Sequence, residues 1–197
     1  MTKKTYSLHS PVITKNDISS VSETLKSGWV STSGKIVNKF ENKISKQLSI
    51  KYAVALNSGT SALHLAMQAV GVKQNDEVII STLSFIAPIN AIKYNRAFPI
   101  FMDVDNHLNI DVNKTLKFLS QNTYFYKGNT YNKRTKRIVR AIVFVHIFGN
   151  ACNFDKLFSE CKKRKIVCIE DAAESLGTVY HSGKFKGKHT GTIGQVG

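Results

Sequence analysis

Apolar residues recur along this chain at two different spacings, and the change from one to the other falls near residue 51. Before it, apolar residues three and four positions apart predict helices over residues 14–26 and 35–48. The apolar stripe of the first helix consists of Ile18, Val21 and Leu25. We therefore expect residues 1–50 to form an N-terminal helical segment.

Beyond residue 51, apolar runs of strand length alternate with helical stretches. Strands are predicted over residues 52–56, 77–81, 98–104, 138–147 and 166–170, and helices over residues 62–70, 85–94, 112–119 and 154–164. The polar, aromatic-spotted stretch 120–136 is expected to be an inserted hairpin or loop. This alternation favours an α/β fold, a three-layer mostly parallel sheet with helices on both faces.

Composition excludes several classes of protein. With 42% hydrophobic residues, 12 Gly and 3 Pro, the 197-residue chain is neither disordered nor collagen-like. No apolar run approaches the ~18 residues that span a bilayer, and the amino terminus lacks a signal core, so we expect a cytoplasmic protein with no membrane partner. Cys152, Cys161 and Cys168 form no CxxC pair and are expected in the core, with no metal site.

The chain carries 28 Lys+Arg against 13 Asp+Glu, a formal charge of +15, which raises nucleic acid as a partner. The cations cluster in residues 133–140 and 162–165. The second cluster lies at the end of a predicted helix, where the negative end of the helix dipole stabilises cations. The first cluster lies in a polar stretch. Without a nucleic-acid-binding motif, a solvated basic surface is the favoured interpretation, and nucleic acid is not expected as a partner.

Three segments fall at the carboxyl ends of predicted strands, where open α/β sheets bind ligands. Residues 57–61 offer backbone N–H groups and hydroxyls that suit a phosphate, although a plain turn with a helix cap has the same pattern. They match neither GxGxxG nor a Walker A sequence, which disfavours a dinucleotide or ATP-type site.

The other two segments supply carboxylates and an aromatic ring. Glu170, Asp171 and Glu174 follow a buried strand, where a charge is costly unless it is paired. Asp171 could hold a cationic ligand nitrogen, a metal or a histidine that orients a nucleophile, or it could cap a helix. Phe85 either lies on a planar ring or opens a helix as a core residue, and His146 is either a ligand or a satisfied core histidine. A phosphate site, a carboxylate and an aromatic lid together suit pyridoxal 5′-phosphate (PLP).

Five motifs in order carry a resemblance to a known family: residues 27–31, 57–65, 84–92, 146–150 and 170–177. The chain resembles the sugar aminotransferases of the DegT/DnrJ/EryC1/StrS family, which have the aspartate-aminotransferase-like fold. Residues 131–137 and 187–194 look most like the subgroup that acts in legionaminic acid synthesis.

The resemblance implies roles for six residues. Gly59 and Thr60, with Ser58 beside them, bind the cofactor phosphate. Phe85 stacks on the pyridine ring, Asp171 pairs with the protonated ring nitrogen, and Glu174 lies near the cofactor oxygen and the incoming sugar. It also implies a homodimer that transfers an amino group from L-glutamate to a nucleotide-linked 4-keto-6-deoxy sugar for surface-sugar biosynthesis. The excess positive charge would help to attract that acidic substrate.

One part of the family pattern has no counterpart here. The lysine that binds the cofactor covalently lies in a Ser-Phe-Asn-x-x-Lys stretch, and Lys184, Lys186 and Lys188 match another part of the pattern. We therefore expect no catalytic lysine within the chain, an incomplete PLP-binding large domain over residues 51–197, and no small C-terminal domain. Such a truncated chain is expected to be inactive alone. The alternative is a non-catalytic remnant that binds nucleotide sugar or pairs with an intact subunit.

Overall fold

The computed structural model describes residues 11–197; residues 1–10, on which the expected lack of a signal peptide rests, lie outside the described residues. The chain divides into two compact units, Met1–Ala55 and Leu56–Gly197. The first unit contains helices α1 (Lys15–Lys26) and α2 (Lys35–Leu48), as the apolar spacing predicts.

Local hydrogen bonds explain where α1 begins. The Thr14 hydroxyl accepts from the backbone N–H of Asp17, and the Asp17 carboxylate accepts from the N–H of Thr14, which forms a capping box. The expected apolar stripe of α1 is exposed, because Ile18, Val21 and Leu25 each leave about three-fifths of their surface open. The spacing therefore predicts the helix correctly but not what covers it.

The strand predicted over residues 52–56 is wrong. These residues have no regular secondary structure, among the described residues no strand pairs with them, and Tyr52 and Val54 expose 74% and 75% of their surface. A short apolar run of this kind suits a strand, but a strand also needs a neighbour for its backbone groups.

The second unit contains the alternating elements, in the order α3 (Gly59–Ala69), β1 (Glu77–Ser81), α4 (Ile86–Tyr94), β2 (Phe98–Met102), α5 (Val112–Asn122), β3 (Thr123–Tyr126), β4 (Asn129–Asn132), β5 (Val139–Val145), a 3₁₀ turn (Ile147–Gly149), α6 (Asp155–Lys163) and β6 (Val167–Asp171). Strands β2-β1-β5-β6, in that order, form a fully parallel sheet. Strands β3 and β4 pair antiparallel and confirm the inserted hairpin.

Helices cover both faces of the parallel sheet. On one face, Phe144 of β5 and Cys168 of β6 pack with Leu119 of α5 and Leu157 of α6. On the other face, residues of α3 and α4 pack on the alternate strand positions, a cluster that includes Leu63, Met67, Ile92, Val143 and Ile169. The three-layer α/β expectation is confirmed, and all three cysteines are buried.

Buried polar contacts fix the hairpin to the sheet. Glu77, the first residue of β1, accepts hydrogen bonds from the Asn132 amide at 2.9 Å and the Thr135 hydroxyl at 2.7 Å. The Asp76 carboxylate accepts from the Arg140 guanidinium at 3.1 Å. Because both carboxylates lie where β1 begins, the base of the hairpin is held at the amino-terminal edge of the sheet.

Candidate active site

The amino-terminal end of α3 lies at the carboxyl-terminal edge of the sheet. Helix α3 runs back toward the start of β1, since a short turn leads from its last residue, Ala69, to Glu77. Its 11 residues span ~16 Å, about the length of a five-residue strand. Its first residues, Ser58, Gly59 and Thr60, are therefore at the edge where β1, β5 and β6 end.

Asp171 lies on the sheet face that α3 covers. It is the last residue of β6, and Ile169, two positions before it, packs with Leu63 and Met67 of α3. Because side chains alternate along a strand, Asp171 shares that face and Glu170 points to the opposite one. The structure thus brings Asp171 and the start of α3 to the same corner of the sheet.

The Asp171 carboxyl is nearly desolvated and has few partners. The residue is 9% exposed, and the structure records one hydrogen bond to its carboxylate within residues 11–197, from the N–H of Ala173 at 3.2 Å. Burial raises the pKa of this carboxyl, and the Ala173 N–H offsets the effect only in part. No helix follows it, since residues 172–177 contain only turns and irregular backbone, so the helix-cap alternative for Asp171 is wrong.

Residues 57–61 do not form the predicted turn before a helix at residue 62, because α3 begins at Gly59. The Ser58 hydroxyl caps the helix by accepting from the N–H of Ser61 at 3.2 Å. Gly59 and Thr60 occupy the first turn, where N–H groups have no intrahelical acceptor. A Cβ built on Gly59 meets nothing within 4 Å, so this end of the helix is open to a ligand.

Phe85 stands just before α4, four residues past the end of β1. Its side chain is 70% exposed, so it is not the core residue that one interpretation allows. Its position after β1 puts it at the same edge of the sheet as Asp171 and the start of α3.

Glu174 binds a neighbouring loop. Its Oε2 accepts from the backbone N–H of Phe148 at 2.6 Å, in the turn that follows β5. Phe148 adopts a left-handed backbone with φ of 52° and is 74% exposed. A second contact joins the same segments, since the Thr178 hydroxyl donates to the Gly149 carbonyl at 3.0 Å. Nothing in the sequence pattern indicates this connection, because a left-handed phenylalanine has no compositional signal.

His146 and Glu170 form a core pair and do not face the site. The His146 Nε2 lies 3.0 Å from the Glu170 Oε1, with both side chains fully buried. Glu170 also accepts backbone N–H groups of Gly191, Ile193 and Gly194. Of the two interpretations of His146, the satisfied core histidine is therefore correct. Glu170 anchors the loop 191–196.

The described residues form neither a metal site of the usual kind nor a membrane-spanning helix. In residues 11–197, no cluster of three or more His, Cys, Asp or Glu is placed to hold a metal ion. Over the same residues, no helix is both long enough and apolar enough to cross a membrane.

The fold and the site define a class, an α/β protein with a helix N-terminus and a buried carboxylate at the carboxyl edge of a parallel sheet. The sequence model of the DegT/DnrJ/EryC1/StrS aminotransferase family matches residues 11–197. The chain therefore belongs to this family, which confirms the resemblance of the five motifs.

Individual relatives support the assignment. GDP-perosamine synthase of Escherichia coli O157:H7 is 36% identical over 189 residues, which are 96% of this chain and 46% of that protein. The spore coat polysaccharide biosynthesis protein SpsC of Bacillus subtilis (strain 168) is 37% identical over 192 residues, 97% of this chain and 43% of that protein. The chain thus spans less than half the length of these relatives.

A solved structure confirms the fold. E. coli GDP-4-keto-6-deoxy-D-mannose-3-dehydratase with bound hydrated PLP matches with a TM-score of 0.78 at 26% identity, over 96% of this chain and 45% of that one. The α/β architecture expected from the alternating elements is therefore that of PLP-dependent aminotransferases.

Proposed function

We propose that this chain forms the cofactor-binding part of a PLP-dependent sugar aminotransferase, which transfers an amino group from L-glutamate to a nucleotide-linked 4-keto-6-deoxy sugar in the cytoplasm. The observation that carries the proposal is the Asp171 carboxyl, buried on the face of α3 with a single recorded hydrogen bond. A buried carboxylate of this kind needs a cationic partner, and a protonated pyridine nitrogen is one.

The donor set at this corner fits PLP. The N–H groups of Gly59 and Thr60 and the positive end of the α3 dipole would bind the phosphate. Asp171 would hold the proton on the ring nitrogen, because ionic pairing with that nitrogen relieves the cost of its burial. The exposed Phe85 ring would lie on the pyridine ring. When bound, PLP supplies the electron sink for amino-group transfer.

Glu174 has a positioning role in this proposal. By accepting from the Phe148 N–H at 2.6 Å, it holds the turn after β5 beside the turn after β6. Both turns lie at the carboxyl edge of the sheet, where the sugar substrate would enter. The basic insert over residues 131–137 supports a finer assignment to the legionaminic-type subgroup, and we expect the family homodimer.

No stretch of the 197 residues matches the family's lysine motif. We therefore propose that the chain binds the cofactor but does not transaminate by itself. Borohydride reduction in the presence of PLP, followed by digestion, checks this. Scattered, substoichiometric labelling of surface lysines is expected, and one lysine labelled stoichiometrically would contradict the proposal. The second candidate, a non-catalytic remnant that pairs with an intact subunit, predicts a mixed dimer when the chain is co-expressed with an intact relative.

Binding is best tested with pyridoxine 5′-phosphate, which lacks the aldehyde and so cannot react with surface lysines. We expect saturable binding to the chain by calorimetry, and binding about tenfold or more weaker for Asp171→Asn, since the charge on the ring nitrogen then loses its partner. Asp111→Asn, which removes a carboxylate that caps α5, is the matched control. Comparing pyridoxine, which has no phosphate, with pyridoxine 5′-phosphate tests whether the start of α3 binds the phosphate. Equal affinity for Asp171→Asn and Asp111→Asn would refute the role of Asp171.

A further inference from the structure

Exposed cations gather at the amino-terminal edge of the parallel sheet, opposite the candidate active site. Because all four strands are parallel, the residues that precede them meet at one edge. Lys73 precedes β1, Arg96 precedes β2 and Lys165 precedes β6, all with exposed side chains. A hydrogen bond from the Asn75 N–H to the Arg96 carbonyl, at 3.0 Å, joins the first two of these loops.

The hairpin brings the two basic clusters of the sequence onto this same surface. The Thr130 hydroxyl of β4 donates to the Arg164 carbonyl at 2.7 Å, and the Arg164 guanidinium donates to the Thr123 hydroxyl of β3 at 3.0 Å. Arg164 of the second cluster is therefore fixed to the hairpin, and the first cluster follows directly after the second strand of that hairpin. We call this surface the basic edge, and define it by six exposed cations: Lys73, Arg96, Arg134, Lys136, Lys162 and Lys165.

The carboxylates at this edge face inward. Asp76 is bound by Arg140 at 3.1 Å, and the buried Glu77 is held by the hairpin. Glu160 is bound by Arg164 at 2.6 Å. Within residues 11–197, none of the six cations of the basic edge forms an ion pair. The outward field of this surface is therefore positive.

Exposed aromatic residues accompany these cations. Tyr124, Phe125 and Tyr126 of β3 expose 38%, 49% and 54% of their surface. Tyr124 stacks on Tyr131 with a centroid separation of 5.5 Å, and the Lys127 ammonium lies 5.3 Å from the centre of the Tyr126 ring. The rings of Tyr124 and Tyr126 thus already have partners on a face, whereas single-stranded nucleic acid binds by stacking bases on open aromatic faces. Tyrosine and phenylalanine beside lysine are instead typical of surfaces at the lipid–water interface.

We propose that the basic edge and the exposed tyrosines of β3, Tyr124 and Tyr126, bind the surface of a bilayer that contains anionic phospholipids. Each cation near such a surface adds about fivefold to the affinity. Side chains alternate along β3, so Tyr126 shares a face with Tyr124, and the Lys136 ammonium lies 6.0 Å from the centre of the Tyr124 ring. The Tyr126 ring therefore enters the interfacial layer beside these cations. This differs from the expectation of no membrane partner, which rested on the lack of a bilayer-spanning run and of a signal core and did not consider binding at the bilayer surface.

The proposal is independent of the aminotransferase site. A five-residue strand spans ~16 Å, about twice the screening length at physiological salt. The charges of the basic edge therefore contribute little to attracting a nucleotide sugar to the opposite edge, contrary to the expectation from composition.

Cosedimentation of the 197-residue chain with vesicles tests the proposal. We expect binding at low salt to phosphatidylcholine vesicles that contain phosphatidylglycerol, and none to phosphatidylcholine alone. The triple variant Arg134→Gln, Lys136→Gln, Lys162→Gln should bind the anionic vesicles about a hundredfold more weakly. The matched control, Lys39→Gln, Lys43→Gln, Lys46→Gln on α2, changes the net charge equally and should bind as the parent chain does.

Tyr126→Ser separates insertion from charge, because at high salt it should lose the residual binding that the parent chain retains. Circular dichroism verifies that each variant is folded. The proposal is overturned if the parent chain ignores anionic vesicles, if both triple variants lose the same affinity, or if the chain prefers a single-stranded oligonucleotide to the vesicles.

Discussion

The imidazole of His146 donates from Nε2 to the carboxylate of Glu170 across 3.0 Å in the core of the second unit. The tautomer follows from a second contact, since the Cys152 N–H donates to the His146 Nδ1 at 3.1 Å. Glu170 also accepts the N–H groups of Gly191, Ile193 and Gly194. The pair therefore joins β5, β6 and the loop 191–196 through one buried carboxylate.

Replacing Glu170 by Gln should destabilise the second unit by about 2–4 kcal/mol. An amide accepts at only one of its two ends, so its NH₂ group would face N–H donors that the carboxylate now satisfies. Urea unfolding followed by circular dichroism measures the effect. Glu174→Gln is the control, since its side chain is exposed and its amide oxygen can still accept from Phe148; a similar loss in both variants would contradict the prediction.

The same carboxylate makes stability depend on pH. Burial opposes its charge, but hydrogen bonds from His146, Gly194 and Gly191 hold the pKa of Glu170 below its usual value. A carboxyl whose pKa is lowered on folding stabilises the native state above its unfolded pKa and loses that contribution as pH falls through the folded value. The stability difference between the parent chain and Glu170→Gln should be constant above about pH 5 and shrink below it. Unfolding curves from neutral to acid pH check this, and an undiminished difference in acid would disprove it.

Gly194 should tolerate no side chain. A Cβ there would lie 2.7 Å from the Cys168 carbonyl oxygen and 3.0 Å from that of Val196, both backbone atoms that cannot rotate away. We expect Gly194→Ala to cost about 1–3 kcal/mol in thermal or urea unfolding. Gly59→Ala should cost little stability, because its Cβ would meet nothing within 4 Å.

The cysteines should be unreactive in the native protein. Cys152, Cys161 and Cys168 are at most 2% exposed. Burial raises the pKa of the Cys152 thiol, and the contact with Cys161 together with burial raises that of Cys168. An aromatic disulfide reagent should therefore modify all three only after denaturation. A thiol that reacts rapidly without denaturant would show that this part of the core opens.

Much of the fold follows from the local pattern of apolar residues, because the spacing of these residues shows which segments are strands or helices that bury a face. Asp171 could be placed at the carboxyl end of a strand because it follows the apolar run 166–169, but the burial of Glu170 and Asp171 depends on what packs over them. The segment 52–56 could not be judged this way, because pairing depends on what lies beside it. The start of α3 moved from residue 62 to Gly59 because the Ser58 hydroxyl caps the helix, a contact that the polar composition hides.

In the candidate site, too, some residues follow from the local sequence pattern and others depend on packing between distant segments. Residue types and their order indicate Gly59, Thr60, Phe85 and Asp171, because each follows or opens an element at the carboxyl edge. The contact between Glu174 and the Phe148 N–H joins segments 26 residues apart and depends on a left-handed backbone, so no local pattern reveals it. The merging of the two basic clusters likewise depends on how the hairpin packs.

The parallel sheet keeps two sets of core residues apart. Phe154 packs on one face and Met67 on the other, with the strands between them. Substitutions at positions this far apart, with no shared partner, change the free energy of unfolding additively. The face that carries α3 can therefore adapt to a different ligand over evolution while the face that carries α5 and α6 keeps its packing. Mutational effects on the two faces should show no epistasis.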